Sequence, residues 1–247
     1  MVAALFAGFV DAAAGGGGLI QVPSLFAALP GETPARVFGT NKLASIFGTA
    51  NASWRFARRI GIPWEIALPA ASAAFAFSFC GAAVVDWLPK EVVRPVVLVL
   101  LVGVIGHTLW RRDFGKVEGV RLPVRVERRW AIGVGGVLGF YDGFFGPGTG
   151  SFLLFCFVRF FRLDFLRASS VAKVVNLATN GAALVYFVPT GNVLWFAGGA
   201  MAVANILGAL LGAQAAIRHG SGFVRVVFLI AASGLAVKFA WDTWAGA

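Results

Sequence analysis

Long apolar stretches follow one another along the chain, and few charged residues interrupt them. A helix needs about 20 apolar residues to cross a bilayer, so six of these stretches predict membrane-spanning helices. They cover residues 34–54, 64–85, 92–110, 166–187, 193–216 and 222–241. The pattern therefore predicts an all-α integral membrane protein.

Two further apolar stretches, residues 2–29 and 131–158, differ from the six because glycines interrupt each of them near its middle. The first contains four consecutive glycines at residues 15–18, and the second contains Gly-Pro-Gly-Thr-Gly at residues 146–150. Glycine and proline disfavour a helix interior, so each stretch is predicted to form two half-helices around an unwound centre. Such a stretch either crosses the membrane as a broken helix or turns back as a re-entrant hairpin.

The two halves of the chain repeat each other at a shift of 131 residues. At this shift Asp11 aligns with Asp142, and Lys42 aligns with Lys173. Interrupted segments at equivalent positions of two repeats are typical of secondary transporters. The predicted organisation is one transmembrane domain with repeat 1 at residues 1–111, a basic linker at 112–129 and repeat 2 at 130–247.

The distribution of positive charge distinguishes the two topologies, because Lys and Arg gather in cytoplasmic loops. The chain has 21 Lys and Arg against 11 Asp and Glu. If all eight stretches cross the membrane, the loop cations divide almost evenly between its faces. If the glycine-broken stretches are re-entrant and the second repeat is inverted, most cations lie on one face. This asymmetry predicts two inverted repeats, each with a re-entrant hairpin and three spanning helices, and a cytoplasmic linker.

Composition excludes several classes of protein. Hydrophobic residues make up 59% of the chain and charged residues 13%, whereas a soluble domain is roughly half apolar and a quarter charged. A soluble enzyme, a disordered chain and a nucleic-acid module are therefore excluded, and no nucleotide-binding or hydrolase motif occurs. The two histidines and two cysteines lack metal-ligand spacing. We expect no enzymatic activity, cofactor, metal or nucleic-acid partner.

Two lysines inside predicted spans carry the candidate chemistry. Lys42 and Lys173 each lie about eight residues into a span, roughly 12 Å deep and near the bilayer midplane. A charge at that depth costs at least about 2.5–3.5 kcal/mol. The lysines are predicted either to form structural ion pairs with Asp11 and Asp142 or to build a cationic site for an anion. The two interpretations are compatible if the anion exchanges with a carboxylate.

The unwound glycine segments favour the anion site, because they free backbone N–H groups beside the positive ends of half-helices. The helix face that carries Lys42 also carries Ser45 and Thr49, and the corresponding face of the second repeat carries asparagines. Asp11 and Asp142 are assigned to ion pairing or proton relay. The predicted substrate-binding residues are Gly15, Gly16, Gly17, Gly18, Thr40, Asn41, Lys42, Gly146, Gly148, Thr149, Gly150, Lys173, Asn176 and Asn180.

These motifs together resemble the sulfite exporter TauE/SafE family of bacterial membrane permeases. The resembling parts are residues 8–18 with Pro23, residues 39–42, residues 139–150, and Lys173 with Asn176. The resemblance covers nearly the whole chain. It implies secondary transport of sulfite or small organosulfonates out across the inner membrane, coupled to an ion gradient, most simply protons. Ala172 stands where the first repeat has Asn41, so the two half-sites are not equivalent.

The sequence thus predicts an anion exporter that works by alternating access between two repeats. Its expected partners are a small anionic substrate and the lipid bilayer, and a homodimer is left open. Two alternatives remain at this point. A passive anion channel would use the same site, and a non-transporting membrane scaffold would keep the buried ion pairs for structural reasons only.

Overall fold

The computed structural model describes residues 1–29, 31–85 and 123–244, and regular structure in these ranges is entirely helical. The helices are α1 Val2–Ala14, α2 Gly18–Ala28, α3 Pro34–Arg59, α4 Trp64–Ala83, α5 Val124–Phe144, α6 Thr149–Phe161, α7 Phe165–Phe187 and α8 Trp195–Trp244. The predicted all-α class is confirmed. The predicted span 92–110 lies outside the described residues, and α5 begins inside the segment predicted as the linker.

Helix α8 consists of two helical parts. Gly220 lies within it at φ 75° and ψ −169°, which is not a helical conformation. The parts at 195–219 and 221–244 correspond to the last two predicted spans. Among the described helices, Trp64–Ala83 and Trp195–Ile230 are long and apolar enough to cross a membrane by length and composition.

Both glycine-rich stretches are interrupted as predicted. The first break separates α1 from α2, and Gly15 and Gly16 adopt φ values of 75° and 104° there. The second break separates α5 from α6, with φ values of 87° at Gly146 and 90° at Gly148. Residues with side chains rarely adopt these left-handed conformations. The glycines therefore allow the chain to stop and restart each helix within a few residues.

The equivalent helices α3 and α7 pack against each other in opposite directions. A Cβ atom added to Gly39, near the start of α3, would lie 3.0 Å from Cβ of Phe187 at the end of α7. Near the other ends, the Nζ atom of Lys173 lies 4.7 Å from the ring centre of Phe56. Two helices that occupy the same position in the sequence repeat are thus antiparallel.

Two close helix contacts between the halves are also equivalent in the repeat. A Cβ atom added to Gly81 on α4 would collide with the carbonyl oxygen of Phe140 on α5. A Cβ atom added to Gly212 on α8 would collide with the carbonyl oxygen of Phe9 on α1. Gly212 lies 131 residues after Gly81, and Phe140 lies 131 residues after Phe9, so the two contacts are equivalent in the repeat. Glycine at these positions lets the helix backbones approach closely, as in other membrane helices.

Buried phenylalanines hold the half-helix α6 in place. Phe157 and Phe161 of α6 pack in one cluster with Phe56 of α3, Phe165 of α7 and Phe228 of α8, and all five are fully buried. Close packing of this kind stabilises helix association in a membrane through van der Waals contact. The cluster fixes the far end of α6, and so the position of its beginning at the second glycine break.

Candidate functional site

The two glycine breaks, one from each half, lie directly against each other. A Cβ atom added to Gly150 would lie 2.8 Å from Cα of Gly15. The hydroxyl of Ser151 donates a hydrogen bond of 3.1 Å to the carbonyl oxygen of Gly15. A Cβ atom on Gly18 would lie 3.5 Å from Cα of Pro147. The unwound centres therefore form one continuous region between the halves.

A small polar cavity of about 30 Å³ opens beside the two breaks. One water needs roughly 10–15 Å³ of such space, so the cavity has room for a very small polar occupant. Its walls come from both halves of the chain. The lining residues are Asp11, Gly16, Gly18, Asn41, Lys42, Ser45, Asp142, Gly146, Gly148, Thr149, Gly150, Asn176 and Asn180.

An ion pair between the halves forms one wall of the cavity. The Nζ atom of Lys42 on α3 lies 2.5 Å from Oδ2 of Asp142 on α5, and both side chains are buried. Removing one partner of such a pair leaves a buried charge without compensation, which is strongly unfavourable. In this conformation the ammonium of Lys42 is therefore bound by the carboxylate of Asp142, as it would be bound by an anion.

Lys173, the equivalent of Lys42, is buried beside the cavity but does not line it. Its ammonium donates hydrogen bonds to the Ser169 hydroxyl at 2.7 Å and to the main-chain oxygen of Asp11 at 3.4 Å. It also lies 4.7 Å from the ring centre of Phe56, within the range of a cation–π interaction. The two equivalent lysines thus have different surroundings.

The two equivalent aspartates, Asp11 and Asp142, also have different hydrogen-bond partners. The carboxylate of Asp11 accepts hydrogen bonds from the backbone N–H of Gly17 and from the hydroxyl of Thr49, each at 3.3 Å. Both donors are neutral and both bonds are long. Among the described residues, no cation forms an ion pair with the Asp11 carboxylate, whereas Asp142 is paired with Lys42.

Two asparagines present unpartnered atoms to the cavity. The side-chain oxygens of Asn41 and Asn176 are buried, and neither has a hydrogen-bond partner in the part of the chain that the structure describes. Buried polar atoms are nearly always bonded, so such atoms indicate a place for a polar occupant. The oxygen and nitrogen of an amide are interchangeable by rotation. Either asparagine can therefore offer N–H donors to an anion.

The remaining predicted site residues lie outside the cavity lining. The hydroxyl of Thr40 donates to the main-chain oxygen of Arg36 at 2.7 Å and accepts from the N–H of Leu194 at 3.0 Å, which ties α3 to the loop before α8. Gly15 packs on the second glycine break, and Gly17 donates to Asp11. Lys173 is the fourth residue of this group.

A buried amide pair on α2 and α8 is not among the predicted site residues. The side-chain nitrogen of Asn205 donates to Oε1 of Gln21 at 2.9 Å, and both side chains are buried. A lone amide in an apolar helix is the sequence signal for such a contact, because polar side chains in membrane helices bind partners on neighbouring helices. The pair fixes α2, and hence the first glycine break, against α8.

Comparison with known proteins gives a consistent result. A family model described as sulfite exporter TauE/SafE matches residues 1–239. The chain is 32% identical to the probable membrane transporter protein YfcA of Escherichia coli K12, over 97% of this chain and 88% of that protein. It is 33% identical to the probable membrane transporter protein ORF9 of Sinorhizobium, over 98% and 91%. No solved structure matches significantly. The chain belongs to the sulfite exporter TauE/SafE family of membrane transporters.

Proposed function

We propose that this protein is a secondary transporter that exports a small sulfur oxyanion, sulfite or an organosulfonate, across the bacterial inner membrane, coupled to a proton gradient. The anion and the proton move in the same direction, so a high internal concentration of the anion drives export, and an acidic outside medium drives uptake into vesicles. One observation carries the proposal. A buried ammonium, that of Lys42, lines a small polar cavity at the point where the glycine breaks of both halves meet. Transporters bind substrate at such an interface between repeats.

We further propose that the two halves are inverted repeats with re-entrant hairpins and a cytoplasmic linker. The antiparallel packing of the equivalent helices α3 and α7 supports inversion. The first glycine break supports re-entry, because the chain turns back there: a Cβ atom added to Gly17 would collide with the carbonyl oxygen of Ala7 on α1. Each half-helix alone, at 13 and 11 residues, is about 20 Å or less, shorter than a hydrocarbon core of about 30 Å.

The anion would bind by replacing Asp142 on Lys42. The amides of Asn41 and Asn176 lie in the same cavity and can donate to its oxygens. Helix α6 begins at Thr149 in the cavity wall, so the positive end of its dipole also favours an anion there. The three oxygens of sulfite or a sulfonate group would then have donors from α3, α6 and α7.

The charges of the cavity support coupling to protons. Its walls carry two carboxylates, Asp11 and Asp142, but one ammonium, Lys42. An anion that enters would add negative charge to a site where charges interact strongly because water is scarce. A proton on one carboxylate removes this repulsion, so the anion and the proton favour each other's binding.

Transport of labelled sulfite into proteoliposomes tests the proposed function. We expect vesicles with acidic medium outside to accumulate sulfite above equilibrium, and unlabelled sulfite and sulfoacetate to compete better than sulfate. Protein-free vesicles are the control for passive entry. A sulfite flux that does not depend on the imposed proton gradient would indicate a channel instead. A flux no greater than in protein-free vesicles would contradict sulfite transport altogether.

A further inference from the structure

The two aspartates of the cavity occupy equivalent positions in the repeat, yet they hold different partners. Asp142 is bound by the Lys42 ammonium at 2.5 Å. Asp11 is bound by the Gly17 N–H and the Thr49 hydroxyl, each at 3.3 Å. While the cavity holds no anion, Asp142 thus has a charge-assisted donor, whereas Asp11 has only neutral donors at long distances.

The groups that face α1 from its neighbours agree with this difference. Helix α7 brings the Lys173 ammonium to the main-chain oxygen of Asp11 at 3.4 Å rather than to its carboxylate. Helix α3 brings Lys42, which is bound to Asp142. The remaining neighbours supply neutral groups, namely the Ser151 hydroxyl from α6 and the Asn205 amide from α8. Both nearby cations thus donate their hydrogen bonds to other groups, and the Lys173 ammonium attracts the Asp11 carboxylate without an ion-pair contact.

One side chain accounts for the position of Lys173. Its ammonium donates to the hydroxyl of Ser169, one helical turn earlier on α7, at 2.7 Å. The residue at the equivalent place before Lys42 is Phe38, which has no acceptor in its side chain. Lys42 therefore reaches across to the aspartate of the other half. Without the Ser169 hydroxyl, Lys173 has the same reach toward Asp11.

We infer that Asp11 is the carboxylate that takes up the coupling proton before the anion binds, while Asp142 is still paired with Lys42, and that Ser169 favours this by binding the Lys173 ammonium. The inference rests on the proposed function, since it assigns a residue to the proton of that transport. A proton from the aqueous side that faces the cavity adds to one carboxylate oxygen of Asp11. The neutral carboxyl releases it again when the anion leaves on the other side.

Protonation of Asp11 also acts on the first glycine break. The Gly17 N–H that binds the carboxylate belongs to the residue just before α2. A neutral carboxyl is a weaker acceptor than a carboxylate, so this bond loosens when the proton binds. The protonation of Asp11 is therefore linked to the geometry of the first glycine break, which lines the anion cavity.

The substitution Asp11→Asn separates coupling from binding. Labelled sulfite is measured in two assays, accumulation under an acid-outside gradient, and counterflow against trapped unlabelled sulfite at equal pH. We expect accumulation to fall to the equilibrium level, while counterflow continues because exchange needs no net proton movement. Counterflow also reports that the variant is folded. Accumulation in Asp11→Asn equal to that of the unmodified protein would overturn the inference.

The substitution Ser169→Ala tests the second part, and Ser170→Ala is its matched control. Ser170 is an adjacent buried serine whose hydroxyl donates to the main-chain oxygen of Arg167 in its own helix. We expect Ser169→Ala to lower accumulation about tenfold with counterflow retained, because the freed Lys173 competes with the proton for Asp11. Ser170→Ala should match the unmodified protein. Equal accumulation in the two variants would overturn the role of Ser169.

These outcomes are distinguishable from failure of the proposed function. If the unmodified protein does not accumulate sulfite under the gradient, the proposed coupling itself fails. A different pattern would contradict only the inference: the unmodified protein and Asp11→Asn accumulate sulfite, and Asp142→Asn does not. The proposed function would then stand, and Asp142 would be the residue that carries the proton.

Discussion

Replacing Lys42 with methionine is expected to lower sulfite uptake at low concentration about 100-fold. The ammonium supplies a charge-assisted hydrogen bond to the anion, and such a bond contributes about 1.5–3 kcal/mol. Each 1.4 kcal/mol corresponds to a factor of about ten. Lys42 is the ammonium in the cavity lining, and Lys173 is bound elsewhere. The initial rate of uptake into proteoliposomes measures the effect.

A double substitution separates loss of the site from loss of the fold. Lys42→Met alone leaves the Asp142 carboxylate buried and unpaired, which costs about 3–5 kcal/mol. Lys42→Met combined with Asp142→Asn removes both charges, so we expect thermal stability in detergent to recover while sulfite uptake stays as low as in Lys42→Met. If the double variant transports sulfite at the rate of the unmodified protein, the ion pair is structural and the proposed site is wrong.

The second large effect is expected from Gly15→Ala, which should prevent or severely weaken folding. Gly15 has a φ of 75°, and an added Cβ atom would collide with the backbone of Gly150. A left-handed conformation costs about 1–3 kcal/mol for an ordinary residue, and an overpacked contact costs about 1–3 kcal/mol more. Backbone cannot move aside as a flexible side chain can. The midpoint of thermal unfolding in detergent measures the loss.

Gly181→Ala is the matched control for this substitution. Gly181 lies inside α7, and among the described residues an added Cβ atom would meet no side chain and no other helix within 4 Å. Alanine is a better helix former than glycine by roughly 0.5–1 kcal/mol, so this variant should be slightly more stable. Equal unfolding midpoints for Gly15→Ala and Gly181→Ala would show that the two glycine breaks do not pack as described.

Much of the fold follows from local features of the sequence. The glycine runs predicted both helix breaks, because each glycine in a helix interior costs about 1 kcal/mol relative to alanine. The 131-residue repeat predicted that α3 and α7 would occupy equivalent positions, and they begin at Pro34 and Phe165. The lining of the cavity was largely predictable for the same reason, since equivalent motifs from two repeats converge near their common interface.

The differences between the halves were less predictable, because they depend on single side-chain contacts. Thr40 was expected at the site, but its hydroxyl bonds the main-chain oxygen one turn earlier, as hydroxyls in apolar helices commonly do. Lys173 was expected beside the anion, but Ser169 holds it. The pair Gln21–Asn205 joins two distant helices, and no spacing in the sequence relates its members.

The most direct test of the anion site is a crystal structure with selenite, a heavier relative of sulfite whose selenium can be located by anomalous scattering. The account predicts one selenium peak in the cavity between the two glycine breaks, within hydrogen-bonding distance of Nζ of Lys42, with Asp142 displaced from that atom. A selenium peak beside Lys173 and Phe56 instead, or an empty cavity at a concentration that saturates transport, would contradict it.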